Sequence, residues 1–249
     1  MLTERYYLKR HQMFFRDQLW LDGLFMIQPF YAQWTLRYDS DNQTAWNDIL
    51  NHYDLIETHA RNEDSGLFVH GWAETGAQWA DPETGKAPNV WGRAVGWYFM
   101  SLVEVLQFFP TEHEGHEKLL EYYRRLADAL IRARSRAEGG RGSWWQVMEE
   151  PYEGMEGNFI ESSASAMFTW GLLKGIDLGY LDKANYLVEA KDAFQSLVRN
   201  FVVEEDDGRL TYNTTVAECN LLDENVGYEV CDAPDMVPAL YQWCFVQIR

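Results

Sequence analysis

The sequence predicts a single all-α domain. Apolar side chains recur at the three- and four-residue spacing of a helix in six separate segments of the chain. These segments span about 15 to 20 residues each and alternate with short and long polar loops, which is typical of stacked antiparallel helix pairs. No linker rich in proline, glycine or serine divides the chain, so we assign residues 1–249 to one domain.

The first three helices are predicted in the first half of the chain. The first apolar stripe covers residues 20–34, and we expect Pro29 inside it to bend the helix. The second stripe covers residues 46–56. The third covers residues 95–109 and ends at Pro110, because proline cannot continue a helix.

The other three helices follow at residues 119–130, 160–178 and 190–201. Two short segments between helices are candidates for strands, at residues 66–72 and 208–213. The connections are polar and rich in glycine. We therefore expect a helical scaffold whose long loops carry the functional groups.

The composition narrows the possible ligands. Aromatic residues make up 15% of the chain, and flat rings serve both protein cores and the clefts that bind sugars. The formal net charge of −18 repels nucleic acid and anionic membrane surfaces. We therefore expect neither as a partner, while the oligomeric state stays open.

We expect neither a membrane-spanning helix nor a signal peptide. No run approaches the roughly 18 apolar residues of a membrane-spanning helix, and the first residues lack the apolar region of a signal peptide. The three cysteines, Cys219, Cys231 and Cys244, form neither a disulfide framework nor a metal-binding spacing. We expect a reducing, cytoplasmic location and no metal or cofactor.

Asp22 is the first candidate catalytic residue. It lies with Gly23 inside an apolar run at residues 20–26, where an unpaired buried carboxylate is costly. One interpretation is a first-turn aspartate that the helix dipole stabilises. The other is a general acid kept among aromatic rings for proton transfer.

Two further motifs place polar side chains next to aromatic ones. His70 lies in an apolar segment and is either a satisfied core residue or a residue that faces a cleft. Arg93 and Trp97 are four residues apart, so the guanidinium can lie over the indole ring and be held rigidly. A rigid guanidinium suits a carboxylate ligand, although a structural pair beside the core is also open.

Small residues mark possible close approaches. Gly92 and Gly96 are four residues apart and leave room for either a partner helix or a ligand. Glu161 is expected in the first turn of a helix, and the small residues that follow it favour close helix packing. Trp144 and Trp145 are adjacent, and one of them could line a cleft.

Five motifs, taken in order, resemble the unsaturated rhamnogalacturonyl hydrolases of glycoside hydrolase family 105. They are QLWLDGLFMIQPFYAQW, GLFVHGW, WGRAVGWYFMSLVEVL, SWWQV and ESSASAMFTWGLLKGIDLGYL, and they cover residues 18–181. The first, third and last are fairly specific to that family and its unsaturated glucuronyl hydrolase relatives. The resemblance implies an (α/α)6 toroid, a six-hairpin glycosidase fold with its active site in the central funnel.

The resemblance also implies a reaction and a set of residues. The substrate is an oligosaccharide that ends in a Δ4,5-unsaturated uronic acid, and the reaction hydrates the C4=C5 double bond. Asp22 matches the general acid/base of the family, and the resemblance implies no metal. The positions that match its substrate contacts are Trp20, His70, Trp91, Arg93 and Trp97.

The sequence departs from the family pattern towards both ends. Family members carry further hairpins and a second aspartate before the WLDG motif, which Asp17 does not match, so we expect an incomplete ring. Their glycine-rich loop is not recognisable in residues 219–243. Two alternatives therefore stand beside the hydrolase: a non-catalytic carbohydrate-binding toroid, and another toroid enzyme such as an unsaturated glucuronyl hydrolase or a sugar epimerase.

Overall fold

The computed structural model describes residues 17–74, 77–135, 142–149, 151–216 and 230–231. Within these ranges the chain forms six helices: α1 (Leu21–Tyr38), α2 (Gln43–His59), α3 (Gly92–Leu106), α4 (Gly115–Ala133), α5 (Ser162–Asp177) and α6 (Lys183–Phe201). Short strands form three antiparallel pairs: β1 (Gln18–Trp20) with β2 (Gly71–Ala73), β3 (Val202–Glu204) with β4 (Leu210–Tyr212), and β5 (Thr215–Val216) with β6 (Val230–Cys231). The predicted all-α fold class is confirmed.

Polar side chains fix where two of the helices begin. Asn42 accepts a hydrogen bond from the Ala45 N–H at 3.1 Å before α2, and Asp182 accepts one from the Ala184 N–H at 3.0 Å before α6. Each supplies an acceptor to a backbone N–H that has no partner within its own helix. Helix α1 follows β1 without a loop, because Trp20 is extended (φ −124°, ψ 134°) and leads directly into the first turn.

Helix α3 lies at the centre of the core. Of its 15 residues 13 are buried, and it packs against α1, α4 and α5. Its glycines admit α5 at close range: a Cβ added at Gly96 would lie 2.6 Å from Met167 Sδ, and one at Gly92 would lie 3.1 Å from Ala164 Cβ. Of the two possibilities for this glycine pair, the partner in the structure is a helix.

The buried face of α1 differs from the predicted stripe. Leu21, Leu24 and Ala32 are buried, whereas Trp34, which the stripe includes, is 51% exposed and Trp20 belongs to β1. The reason is that α1 carries apolar residues on nearly every side, so their spacing does not single out one face. The helix continues past its internal proline to Tyr38.

The other five helical predictions overlap α2 to α6, although α3 already ends at Leu106 and α6 already begins at Lys183. The predicted strand at residues 66–72 overlaps β2 only at its end, and the one at residues 208–213 contains β4. Strand β1 has no counterpart in the prediction, because three residues are too few to show a two-residue alternation.

Several sequence expectations fall outside the described residues. Cys219 and Cys244 lie there, as does most of the stretch at residues 219–243, whereas Cys231 lies in β6. Across the described ranges, no helix is both long and apolar enough to cross a bilayer.

Candidate active site

The short β1–β2 pair brings the first two candidate residues together. In this antiparallel pair Trp20 lies opposite Gly71, and the Leu21 N–H donates to the His70 carbonyl at 3.2 Å. Asp22, in the first turn of α1, therefore lies beside the imidazole. The distance between Asp22 Oδ2 and His70 Nε2 is 3.1 Å, which is a hydrogen bond.

Two indole rings enclose the imidazole of His70. The Trp20 ring meets it edge-on, with 5.2 Å between the centroids, and the Trp91 ring lies 4.8 Å away at a tilt of 46°. The His70 side chain is only 3% exposed, whereas that of Asp22 is 29% exposed. The carboxylate is therefore the part of the pair that reaches solvent, and the histidine supports it from the buried side.

Buried polar atoms without a partner lie around this pair. His70 Nδ1, Trp91 Nε1 and Asn89 Oδ1 find no hydrogen-bond partner in the described structure. Asn89 is adjacent, because its carbonyl accepts from the His70 N–H at 3.1 Å. Most buried polar atoms in proteins are paired, so three unpaired ones on His70 and its neighbours are an exception to the usual packing. The sequence motifs give no sign of Asn89.

The guanidinium of Arg93 is fixed by several contacts. Its Nε donates to the Ser163 hydroxyl at 2.8 Å, and its Nη2 donates to Glu161 Oε1 at 3.3 Å and to the Val216 carbonyl. It also lies over the Trp91 ring, 5.4 Å from the centroid. The positive charge of Arg93 is thereby held in one place next to the aromatic wall of the site.

The aromatic partner of Arg93 differs from the one that the spacing predicts. The four-residue spacing pairs Arg93 with Trp97, whereas the cation–π contact is with Trp91, the residue before α3. The backbone of Trp91 is extended (φ −90°, ψ 120°), so the three- and four-residue spacing of a helix does not predict its contact with Arg93. The ring of Trp97 packs against Phe25 of α1, with 4.9 Å between the centroids.

Glu161 is a site residue that the sequence indicates only as a first-turn acid. In the structure it precedes α5 and is fully buried. Besides the contact with Arg93, its carboxylate accepts from the Ala164 N–H at 2.7 Å, the Ser163 hydroxyl at 2.8 Å and the Val216 N–H at 3.1 Å. These donors make Glu161 an anchor for Arg93, not an available acid.

A continuous series of contacts thus joins most of the candidates. The series runs through Asp22, His70, Trp91, Arg93 and Glu161. Of the two remaining predicted residues, Trp20 packs against the same imidazole, and Trp97 lies one turn beyond Arg93 on α3. Asp22 is the carboxylate of this series that solvent can reach.

The two tryptophans that follow α4 differ in how deeply they are buried. Trp144 is fully buried and donates its Nε1–H to the Leu130 carbonyl at 2.8 Å, so it belongs to the core. Trp145 is partly buried.

As for metals, no group of three or more His, Cys, Asp or Glu side chains within the described ranges is arranged to hold an ion.

A second buried carboxylate, that of Glu57, belongs to a structural ion cluster. It accepts from Arg61 at 2.8 Å, from Arg125 at 2.5 Å and from the Tyr98 hydroxyl at 2.9 Å. Burial raises the pKa of Glu57, while these three donors act in the opposite direction. Because its oxygens are already shared among them, we assign Glu57 to the packing of α2, α3 and α4.

The chain matches the profile of Glycosyl Hydrolase Family 88 over residues 4–238. A protein of Agrobacterium fabrum is 38% identical over 166 residues, which are 64% of this chain and 68% of that relative. An unsaturated 3S-rhamnoglycuronyl hydrolase of Formosa agariphila is 24% identical over 200 residues, which are 77% of this chain and 48% of the relative.

The fold is shared with a solved glycoside hydrolase of family 105 from C. acetobutylicum. The two chains are 31% identical with a TM-score of 0.76, and the match covers 82% of this chain and 55% of the other. The matched part of the chain spans about half the length of this solved protein and of the Formosa relative. The resemblance drawn from the motifs and the six-hairpin glycosidase fold class are confirmed.

Proposed function

The chain belongs to Glycosyl Hydrolase Family 88, and on this basis we propose that it removes a Δ4,5-unsaturated galacturonyl residue from rhamnogalacturonan-derived oligosaccharides. The observation that carries the proposal is the partly exposed carboxylate of Asp22, hydrogen-bonded to a buried histidine between two indole rings. The name of the Formosa relative, an unsaturated 3S-rhamnoglycuronyl hydrolase, supports a substrate with an unsaturated uronyl end.

In the proposed reaction the enzyme hydrates a double bond and does not cut the glycosidic bond directly. Asp22, as the acid, gives a proton to C4 of the C4=C5 bond, which leaves positive charge shared between C5 and the ring oxygen. Water then adds to C5 and returns a proton to the Asp22 carboxylate. The resulting hemiketal opens spontaneously and releases the remaining sugar. A single carboxyl group serves as acid and base, so a pair at a fixed separation is not required.

His70 and the two indole rings position this carboxyl group. The hydrogen bond at 3.1 Å fixes one oxygen of Asp22, and the other side of the group faces solvent, where a sugar can approach. Trp20 and Trp91 hold the imidazole so that it cannot rotate away. Fixed geometry of this kind lowers the entropy that is lost on reaching the transition state.

We propose that Arg93 and Trp97 contact the unsaturated sugar, with Arg93 near its carboxylate. Ser163 and Glu161 already hold the guanidinium, so it loses little side-chain entropy when an anion arrives. The same contacts balance its charge, so Arg93 contributes orientation more than net attraction. Trp97 adds an apolar surface on the adjoining turn of α3.

The test follows the ultraviolet absorbance of the conjugated uronate in an unsaturated rhamnogalacturonan disaccharide. Wild type is expected to consume it, and Asp22→Asn is expected to lower kcat by about 10²- to 10⁴-fold, the usual contribution of general acid–base catalysis. Asp182→Asn is the matched control, because Asp182 also lies at a helix start but belongs to α6. It is expected to keep the wild-type rate.

Two results would contradict the proposal in different ways. If wild type leaves the absorbance unchanged, the chain does not catalyse this reaction. If Asp22→Asn is as active as wild type, the reaction uses another acid. An unsaturated glucuronyl disaccharide in the same assay decides between the two uronyl substrates.

A non-catalytic carbohydrate-binding protein is the second candidate. It is favoured by one observation: the rings of Trp20 and Trp91 flank the site, and flat rings can bind a sugar whether or not Asp22 transfers a proton. Saturable quenching of tryptophan fluorescence by the disaccharide, without any loss of uronate absorbance, is the result expected for this alternative.

A further inference from the structure

One side of α1 carries large apolar side chains that the described chain leaves uncovered. Met26, Phe30, Trp34 and Tyr38 follow one another at four-residue spacing and are 58%, 66%, 51% and 64% exposed. We call these four residues the α1 row. Its rings touch in sequence, with centroids 6.1 Å apart for Phe30 and Trp34 and 4.5 Å apart for Trp34 and Tyr38.

The α1 row makes α1 apolar on both sides. The opposite side of the helix is buried against α2 and α3 through Leu21, Leu24 and Ala32. A helix that is apolar all round is typical of the interior of a protein or an assembly, not of its surface. Elsewhere in the described chain the exposed large apolar residues are divided among a loop, α6, β3 and β4: Met155, Val188, Val198, Val203 and Leu210. The uncovered apolar area is therefore concentrated on α1.

We infer that a second copy of this chain covers the α1 row, with the two α1 helices packed against each other across a two-fold axis. Residues spaced by four form a ridge on a helix, and two such ridges interlock when the helices cross at about −50°. A two-fold axis lets the same ridge serve both partners. Phe30 lies at the middle of α1, so it is the residue nearest the axis.

The α1 row supplies more than half of the area that a dimer interface of ordinary size needs. A fully buried aromatic side chain removes about 150–250 Å² from water, so the four half-exposed side chains of the α1 row offer on the order of 500 Å². The exposed residues Gln33 and Arg37 lie beside the row on the same helix and extend this area. A stable interface of ordinary size uses about 800 Å² from each partner.

Charge also permits the contact. The only charged residues of α1 are Asp22 and Arg37, which balance each other. The net charge of −18 therefore repels a second copy from a distance but places no excess charge on the contact itself. Added salt is expected to strengthen the dimer, because it screens the distant repulsion and leaves the apolar contact intact.

Light scattering after size-exclusion chromatography tests the inference, with the full chain at several concentrations. Wild type is expected at twice the 29.2 kDa of one chain. Phe30→Glu and Phe30→Lys are each expected to be monomers, because two like charges would meet at the axis. An equal mixture of the two variants is expected to form dimers again. Val188→Glu, on α6, is the control and is expected to remain a dimer.

Each contrary result overturns the inference. A wild type that is monomeric at every concentration shows that no second copy covers the α1 row. Dimers of both Phe30 variants alone, or a monomeric Val188→Glu, place the interface elsewhere. Two charged variants that stay monomeric when mixed, while circular dichroism shows wild-type helix content, exclude contact between the two α1 helices. None of these outcomes depends on hydrolase activity.

Discussion

Glu161 and Asp182 both accept a hydrogen bond from the first turn of a helix, but their surroundings differ. Glu161 is fully buried and paired with Arg93, whereas Asp182 is exposed. We expect Glu161→Gln to lower the free energy of unfolding by about 3–5 kcal/mol, because it leaves a buried arginine without its carboxylate. Asp182→Ala is expected to cost about 1 kcal/mol, the usual value of a lost cap.

Urea unfolding followed by circular dichroism measures both free energies. Equal losses for the two variants would show that Glu161 acts as a cap alone and does not anchor Arg93. A folded Glu161→Gln is also expected to have a raised KM for the unsaturated disaccharide, since Arg93 would no longer be held in place. Asp182→Ala serves as the control for this second measurement and is expected to keep the wild-type KM.

For single residues, the sequence identifies the candidate site residues better than it identifies the side chains that they contact. Spacing along a helix pairs Arg93 with Trp97, but the ring under the guanidinium comes from Trp91, whose extended backbone lies outside helical spacing. The hydrogen bond between Asp22 and His70 joins residues 48 apart in the chain, so no local pattern could predict it. These two residues could be proposed together only through the resemblance to a family.

Two glycines in different helices are expected to respond in opposite ways to a methyl group. At Gly171 of α5 an added Cβ would lie 2.5 Å from the ring of Phe99, and this ring cannot yield because it stacks on Tyr123. Gly171→Ala is expected to cost about 1–3 kcal/mol of unfolding free energy. At Gly23 of α1 nothing lies within 4 Å, so Gly23→Ala is expected to stabilise the helix by about 0.5–1 kcal/mol.

The Gly23 variant also tests the site. The residue adjoins Asp22, and the open space beside it is where we propose that the sugar approaches. We expect Gly23→Ala to lower kcat/KM while it raises the urea midpoint. A stabilised variant with unchanged kcat/KM would show that the sugar does not use this space.

Helical elements could be predicted because each is set largely by its own sequence. Apolar periodicity locates α2 to α6, and the buried face follows wherever one side of a helix is polar. Apolar periodicity does not identify the buried side of α1, because this helix carries apolar residues on both sides. It also does not locate β1 and β2, because each is a three-residue strand held by a partner about 50 positions away. These two failures meet next to Asp22, because β1 ends at Trp20 and α1 begins at Leu21.

The net charge of −18 on the whole molecule predicts how kcat/KM depends on ionic strength. The proposed substrate carries a carboxylate, so the protein as a whole repels it, and the neutralised Arg93 does little to offset this at long range. We expect kcat/KM to rise about three- to tenfold as the ionic strength goes from about 0.01 M to about 0.15 M, because the Debye length then falls from about 30 Å to about 8 Å. Electrostatic attraction would give the opposite trend.

A neutral substrate separates this effect from a direct action of salt on the protein. The methyl ester of the same disaccharide keeps the double bond but has no charge, so its kcat/KM is expected to vary little over the same range of ionic strength. A similar rise for ester and acid would show that salt acts on the protein, for instance by strengthening the α1 dimer. A fall for the acid alone would mean that positive charge near the site outweighs the overall charge, and Arg93 would then contribute attraction as well as orientation.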